Sequence, residues 1–409
     1  VKGSRRSHGD GSIDRRGEDV YRLRYRVNGQ RFTKTFHGSL SEARKELRAL
    51  LRAGDTGEHV DPSKLTVGQW IDQWLRIGAP GRKQEEVSER TKERYAQLVN
   101  EHVKPVLGHQ PLQKLQATEI DRLYTELKAK ISPWTKRPLS QRTQRHVHVV
   151  LGATLATAVR TGLLSVNPMT KTAKKPKTGD GRPGIALDET DLAKLVTGFK
   201  SSPLFRIVAL TASTGMRRNE VLALRWTDLD AEKKTLRIER AWEPTKKHGM
   251  TLKPPKTARG LRTIDLDDGT LALLLHEKER YQRIKAGVPD AAEVNLSLVK
   301  LPADALMFPA VPAGGRALDL ARPRDPWGVS KAFRGRAKKL GFTGFTFHMM
   351  RHTHSTMLLD KGMPVHRVAA RIGDDPATLL RVYAQLTKKK STQMSDVVNA
   401  LGTAILGPT

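Results

Sequence analysis

Thr214-Gly215-Met216-Arg217-Arg218-Asn219-Glu220 is the stretch on which the fold of this chain turns. Glycine permits a tight turn between two helices, so Gly215 puts Arg217 at the start of the second. An arginine there offers a planar fork for phosphate, and a helix N-terminus adds partial positive charge. Glu220, three residues on, can pair with an arginine and fix it. Three stretches further out address the same ligand. Pro254-Pro255-Lys256-Thr257-Ala258-Arg259-Gly260-Leu261-Arg262-Thr263-Ile264 reads as a hairpin whose tip projects Lys256 away from the core. In Phe347-His348-Met349-Met350-Arg351-His352-Thr353 the histidine and Arg351 are three apart and share a helix face. Tyr383 closes Leu379-Leu380-Arg381-Val382-Tyr383.

Composition agrees with a polyanionic ligand. The 409 residues carry 73 Lys and Arg against 42 Asp and Glu, a net charge of +31. That balance argues against a small-metabolite enzyme and for nucleic acid. The absence of cysteine excludes a disulfide scaffold, Cys-ligated zinc, Cys-bound iron–sulfur clusters and a Cys nucleophile. No run of about 20 apolar residues predicts a membrane span. No apolar segment after Val1-Lys2-Gly3-Ser4-Arg5-Arg6 reads as a secretory signal, so a cytoplasmic, nucleoid-associated location is expected.

The chain reads as several domains. Tyr21, Leu23, Tyr25 and Val27 alternate with Arg22, Arg24 and Arg26, which predicts a strand with one apolar and one cationic face. Asn28-Gly29 predicts a hairpin with a return strand over Arg31–Phe36. Ser39 and Glu42 form a capping box before a helix that carries Ala43, Leu47, Leu50 and Leu51. The cationic sheet face suits a DNA groove; a merely solvated face is the alternative. A linker follows over Gly54–Lys64. Next comes a four-to-five-helix unit: Trp70, Ile71, Trp74 and Leu75 on one face, Ser88 capping a helix with Tyr95 and Leu98, and Pro105 and Gly108 breaking the next connection. Thr118 and Asp121 open a helix with Leu123, Tyr124 and Leu127, and a long helix runs over about Ser140–Arg160. Lys171–Gly184 is a basic linker. From Ile185 an α+β unit follows, with helices from Asp188 and over Pro203–Ser213, a strand over Leu236–Ile238, a hairpin over Lys253–Leu266, and helices after Asp325.

In their order and spacing the four basic stretches resemble the catalytic domain of the tyrosine recombinases, the phage integrase family. Arg217 matches the first arginine, in a T-G-x-R-x-x-E pattern. Lys256 matches the hairpin lysine, His348 and Arg351 the H-x-x-R element, and Tyr383 the nucleophile, 32 residues beyond Arg351. The helical unit is similar to the core-binding domain, and the N-terminal unit resembles the arm-binding domain of many integrases of phages and integrative plasmids. The resemblance therefore implies a small β-sheet plus helix arm-binding domain at 1–60, an all-α core-binding domain at 64–170, a linker at 171–184 and an α+β tyrosine-recombinase catalytic domain at 185–409. The implied activity is site-specific integration and excision of a mobile element through a 3′-phosphotyrosine intermediate. The implied partners are double-stranded DNA with core and arm sites, a homotetramer on that DNA, and an accessory directionality or DNA-bending protein, with no membrane involved. The helical and large domains are expected to clamp the duplex. The tail from Thr387 to Thr409 could pack on a neighbouring subunit or in cis.

The chemistry follows from the residues. Tyr383 attacks phosphorus, Arg217 and Arg351 neutralise the non-bridging oxygens, and Lys256 protonates the departing 5′-oxygen. His348 takes the phenol proton, since a free tyrosine has a pKa of about 10. The covalent link keeps the energy of the broken bond, so no ATP is needed, and arginines supply the positive charge, so neither cofactor nor metal is expected. One position departs from the family pattern. Asp374, in Arg371-Ile372-Gly373-Asp374-Asp375-Pro376, stands where the family has His or Trp. An ionised carboxylate cannot donate to phosphate and repels it. Asp374 must stay protonated, pair with an arginine or orient Tyr383; the local excess of arginine, Arg351, Arg367, Arg371 and Arg381, favours pairing. Because of it, a non-cleaving DNA-binding or architectural protein of the same fold is the second reading. His348 and His352 have the spacing of a zinc-peptidase helix, but Met349 replaces the glutamate that motif needs. A type IB topoisomerase would not need the N-terminal module.

Overall fold

The computed structural model describes residues 11–27, 29–55, 63–81, 84–133, 135–172, 175–177, 184–255, 257–290, 292–312 and 317–387. The chain forms two compact units, Val1–Asp180 and Gly181–Thr409.

In the first unit, strands β1 (Ser12–Gly17), β2 (Val20–Val27) and β3 (Gln30–His37) make an antiparallel sheet in the order β1-β2-β3. Helix α1 (Leu40–Asp55) lies against it. Tyr21, Leu23, Tyr25 and Val27 are buried with Ala43 and Leu47. The alternation of β2 predicted this face, and the Ser39–Glu42 box caps α1 as expected. Strand β1 escaped the sequence reading, because Ser12-Ile13-Asp14-Arg15-Arg16 has one apolar residue and no alternation. On the outer face Asp14 pairs with Arg24 at 3.1 Å, so one of the three guanidinium groups there is already matched.

The rest of this unit is helical: α2 (Val67–Arg76), α3 (Glu89–Leu98), a π-helical turn Val99–Val103 running into α4 (Lys104–Leu107), α5 (Ala117–Ala129) and α6 (Gln141–Arg160). Trp70, Ile71, Trp74, Leu123, Tyr124, Val147, Leu151 and Leu155 share its core. Three expectations need correction. Ser88 precedes α3, but its hydroxyl makes no cap bond to the helix N–H groups and meets the Thr91 hydroxyl at 2.9 Å instead. Pro105 does not break the chain. The wide turn before it removes the clash a proline makes with the carbonyl four residues back, and that carbonyl, Glu101, accepts the Lys130 ammonium at 2.6 Å. Helix α5 starts earlier than Thr118, at Ala117, with the Gln116 N–H donating to Glu119.

In the second unit α7 (Glu189–Gly198), α8 (Phe205–Thr214) and the single turn α9 (Arg218–Val221) precede the strands. β4 (Leu229–Asp230), β5 (Thr235–Ile238) and β8 (Arg262–Asp265) form one sheet in the order β4-β5-β8, while β6 (Ala241–Thr245) and β7 (Gly249–Lys253) form a separate hairpin. The expected hairpin over Lys253–Leu266 is therefore wrong in its pairing. β7 returns to β6 and β8 returns to β5. Pro254 and Pro255 cannot donate ladder hydrogen bonds, so the chain leaves one sheet there and enters the other after a 3₁₀ turn at Ala258–Gly260. Helices α10 (Asp268–Ala286), α11 (Pro326–Lys339), α12 (Phe347–Asp360), α13 (Val365–Ile372) and α14 (Pro376–Thr387) complete the unit. Phe333 of α11 stacks on Phe199 at 5.2 Å and meets Phe347 edge-on at 5.3 Å. With buried Met350, Phe347 seats α12 on the core and fixes which face carries its polar residues. Burying a side chain of this size contributes about 1.5–3 kcal/mol. Among the described residues no helix is long and apolar enough to cross a membrane.

Candidate active site

The site is built on helix ends. Helix α8 stops at Gly215, whose φ is +66°, and a Cβ there would meet the His354 ring at 2.6 Å. Glycine is required both for the turn and for the close approach. Two residues on, Arg217 sits at the N-cap of α9. That helix is one turn long, and the Arg217 N–H donates to Glu220 Oε2 at 3.0 Å. The Arg217 guanidinium donates to Glu220 Oε1 at 3.0 Å and to the Gly373 carbonyl at 2.8 Å.

Arg351, from the second turn of α12, is 2 % exposed. Its Nη1 donates to the carbonyls of Gly215 (3.1 Å) and Ile372 (2.5 Å), and its Nη2 to Asp374 Oδ2 at 3.0 Å. A third guanidinium, Arg262 of β8, donates to Glu220 Oε2 at 2.8 Å and to the Arg371 carbonyl at 2.8 Å. The last residues of α13 and its cap thus accept from three arginines in succession: Arg371 from Arg262, Ile372 from Arg351, Gly373 from Arg217. A helix end leaves its final carbonyls without partners inside the helix and carries partial negative charge, which makes it a natural anchor for cations. Gly373, with φ +68°, makes the turn.

Electrostatics set the protonation states. Burial pushes the Glu220 carboxyl up, but Arg262 and Arg217 outweigh it and the group lies below the usual carboxylate range. Asp374 behaves alike: desolvation raises it, Arg351 and Arg217 bring it below normal, and it is ionised. Desolvation, with Arg217 adding to it, pulls Arg351 down to about 10, so it stays charged at neutral pH. His348 faces an open cleft of about 350 Å³ shared with Arg217, Arg218, Ser330 and Arg334. Packing around its ring, then His352, Arg351 and Arg217, push it down to about 4. Its exposed edge tempers the desolvation, but the neighbouring cations alone favour the neutral ring.

The structure brings Arg217, Arg351 and Asp374 together, with His348 one turn from Arg351 on α12. Tyr383 is elsewhere. Its hydroxyl donates to Asp360 Oδ1 at 3.1 Å. Asp360 ends α12, nine residues past Arg351, or roughly 13 Å along the helix axis. Desolvation and the Asp360 carboxylate hold the phenol above its ordinary pKa. Lys256 lies outside the described residues, as do 388–409 of the tail. Among the described residues no group of three His, Asp or Glu is placed to hold a metal.

A profile of the Phage integrase family matches residues 187–390, and one described as Phage integrase, N-terminal SAM-like domain, matches 66–128. The chain belongs to the phage integrase family. Members of this family are enzymes that cut and rejoin DNA strands. A tyrosine recombinase XerC-like protein of Caldanaerobacter subterraneus subsp. tengcongensis is 24 % identical over 94 % of this chain and 97 % of its own length. An integrase of Streptomyces ambofaciens is 25 % identical over 90 % of each. In fold, the chain is similar to the Tn1549 transposon integrase solved with a circular intermediate DNA, with a TM-score of 0.62, 18 % identity and coverage of 83 % of this chain and 99 % of that one. It is also similar to lambda integrase, solved as a dimer on a COC′ core site, with a TM-score of 0.55, 16 % identity and coverage of 96 % and 99 %.

Sequence reasoning missed Arg262, Arg371 and His354. A signal existed for Arg262: it shares a strand face with buried Ile264, and a guanidinium on an inward face needs a buried partner. Arg371 donates to His354 Nε2 (3.3 Å) and to the Ser213 carbonyl (3.2 Å), and His354 Nδ1 faces the Ala212 carbonyl at 3.0 Å. Those contacts tie the end of α8 to the end of α13, and no spacing in the sequence announces them.

Proposed function

We propose that this chain is a site-specific DNA recombinase that integrates and excises a mobile element. The observation that carries the proposal is the pair Arg217 and Arg351, both fixed by backbone carbonyls, with Arg217 lining the cleft and Arg351 buried beside it. A phosphodiester entering there offers its non-bridging oxygens to both guanidiniums. The Tyr383 oxygen forms a bond to phosphorus as the bond to the 5′-oxygen breaks. His348, neutral at working pH, receives the phenol proton, and Lys256 gives one to the leaving oxygen. For this, α14 must carry Tyr383 away from Asp360 to the arginines. The reverse attack by a 5′-hydroxyl of another strand completes exchange without ATP.

The basic β1–β3 sheet would take arm sites and the helical unit core sites. The cleaving assembly would be a tetramer on DNA, aided by an accessory directionality or bending protein, in the cytoplasm at the nucleoid. The lambda integrase tetramer solved on a Holliday junction is consistent with that assembly. The decisive experiment offers a core site with a nick beside the scissile phosphate, so that the released fragment diffuses away and the adduct is trapped. Covalent protein–DNA adduct is expected with the native chain and none with Tyr383→Phe, while both bind the site. Native protein that binds without forming adduct would leave the non-cleaving DNA-binding reading.

A further inference from the structure

Asp374 is the residue at which this chain leaves its family's pattern, and its contacts are unlike those of an imidazole donor. One carboxylate oxygen, Oδ1, accepts from the Asp375 N–H at 3.1 Å. The other, Oδ2, lies 3.0 Å from Arg351 Nη2 and 3.8 Å from Arg217 Nη2. A single anionic oxygen facing both guanidiniums is the place a non-bridging phosphate oxygen would take. Arg351 is sealed from solvent, whereas the side chains of Arg217 and Asp374 are 38 % and 31 % exposed, so the seat is reachable from outside.

We propose that Asp374 is a resident stand-in for the scissile phosphate: its carboxylate fills the anion seat between Arg217 and Arg351 and leaves when a phosphodiester enters. The proposal rests on the reading of those arginines as the phosphate clamp. Charge counting supports it. Arg217, Arg262 and Arg351 against Glu220, with His348 neutral, leave two positive charges, and Asp374 cancels one. With the carboxylate displaced, two positive charges face the two negative charges that the non-bridging oxygens carry as the nucleophile attacks. The consequence is selectivity. A lone anion must expel an intramolecular carboxylate that is always present, whereas a phosphodiester held by a docked duplex brings the binding energy of the whole interface. The backbone stays in place, with the Gly373 carbonyl accepting from Arg217 and the Asp374 N–H donating to the Ala369 carbonyl at 2.9 Å, so the carboxylate leaves by rotation of the Asp374 side chain.

The test uses the full chain, inorganic phosphate as the probe and no cleavage, so it can fail while the recombinase reading stands, and the reverse. Thermal unfolding midpoints are measured against phosphate at constant ionic strength, for the native chain, Asp374→Asn, and Asp374→Asn with Arg217→Ala. The expected result is half-saturation at about tenfold lower phosphate in Asp374→Asn, with the gain abolished by Arg217→Ala. Asp374→Ser repeats the measurement should the amide variant fail to fold. Unchanged or weaker phosphate binding in the folded variant overturns the proposal and leaves Asp374 as a group that only positions Arg351.

Discussion

At the scale of single residues, the site depends on guanidiniums whose directions are fixed before any ligand arrives. Arg351 has its Nη1 on two carbonyls and its Nη2 on a carboxylate, so little side-chain freedom remains to be lost on binding phosphate. We predict that Arg217→Ala and Arg351→Ala each lower single-turnover cleavage by about 10²–10³-fold, the scale for losing one oxyanion donor. A loss below tenfold would remove that residue from the clamp. His354 gives a stability prediction. Burial and then Arg371 push it down to about 4, from an ordinary value of 6.5. Between those values the unfolded chain binds the proton and the folded chain does not. Stability therefore falls as pH drops from about 6.5 towards 4, and this group adds no further loss below. At about 1.4 kcal/mol per unit the loss is on the order of 3 kcal/mol. His354→Asn, which keeps a donor for the Ala212 carbonyl, should flatten the denaturation midpoint over that range; an unchanged slope would assign the pH dependence elsewhere.

At the scale of elements, the end of α13 organises the arginine cluster, and the proposed reaction requires α14 to move. Helix α14 holds Tyr383 at the far end of α12, against Asp360. This contact is partly exposed, so its contribution is modest. Asp360→Ala should release the tyrosine and speed adduct formation on a nicked site by roughly two- to fivefold. Equal rates would mean that leaving Asp360 does not limit the reaction. The elements also show why local patterns mislead. The run from Lys253 to Leu266 has strand-like ends and a Pro-Pro turn signal, which together read as a hairpin. β8 pairs with β5, 24 to 30 residues back, which no short window contains, while β7 folds back on its immediate predecessor β6 and so has no bond to spare for β8 on that edge. Pro105 is the converse case: a breaker signal neutralised by a π turn and by Lys130, 25 residues downstream.

At the scale of the whole molecule, net charge and modular organisation govern DNA binding. A chain of +31 should bind DNA with steep salt dependence, since each phosphate neutralised releases counterions. Deleting residues 1–60 removes the β1–β3 sheet and α1, a unit with its own small core of Tyr21, Leu23, Tyr25, Val27, Ala43 and Leu47. The expected outcome is retained cleavage of a core site and loss of footprints at distal sites. Equal protection of distal sequences by the truncated chain would sink the arm-site assignment.

The sequence alone determined the residue types that meet at the site and the helices that carry them. Gly215 before Arg217, the three-residue step from His348 to Arg351, and the Ser39, Ser140 and Asp188 caps are local facts with local causes: a left-handed turn, a helix face, an unsatisfied N–H. Alternation along β2 likewise fixed its buried face. Only the tertiary structure decided that three arginines converge on the last carbonyls of α13, that Arg351 is the arginine with which Asp374 pairs, and that Tyr383 rests on Asp360. Each of these joins groups brought together by packing from separate elements. Their energies depend on burial and on distances across the fold, which residue order along a chain does not encode.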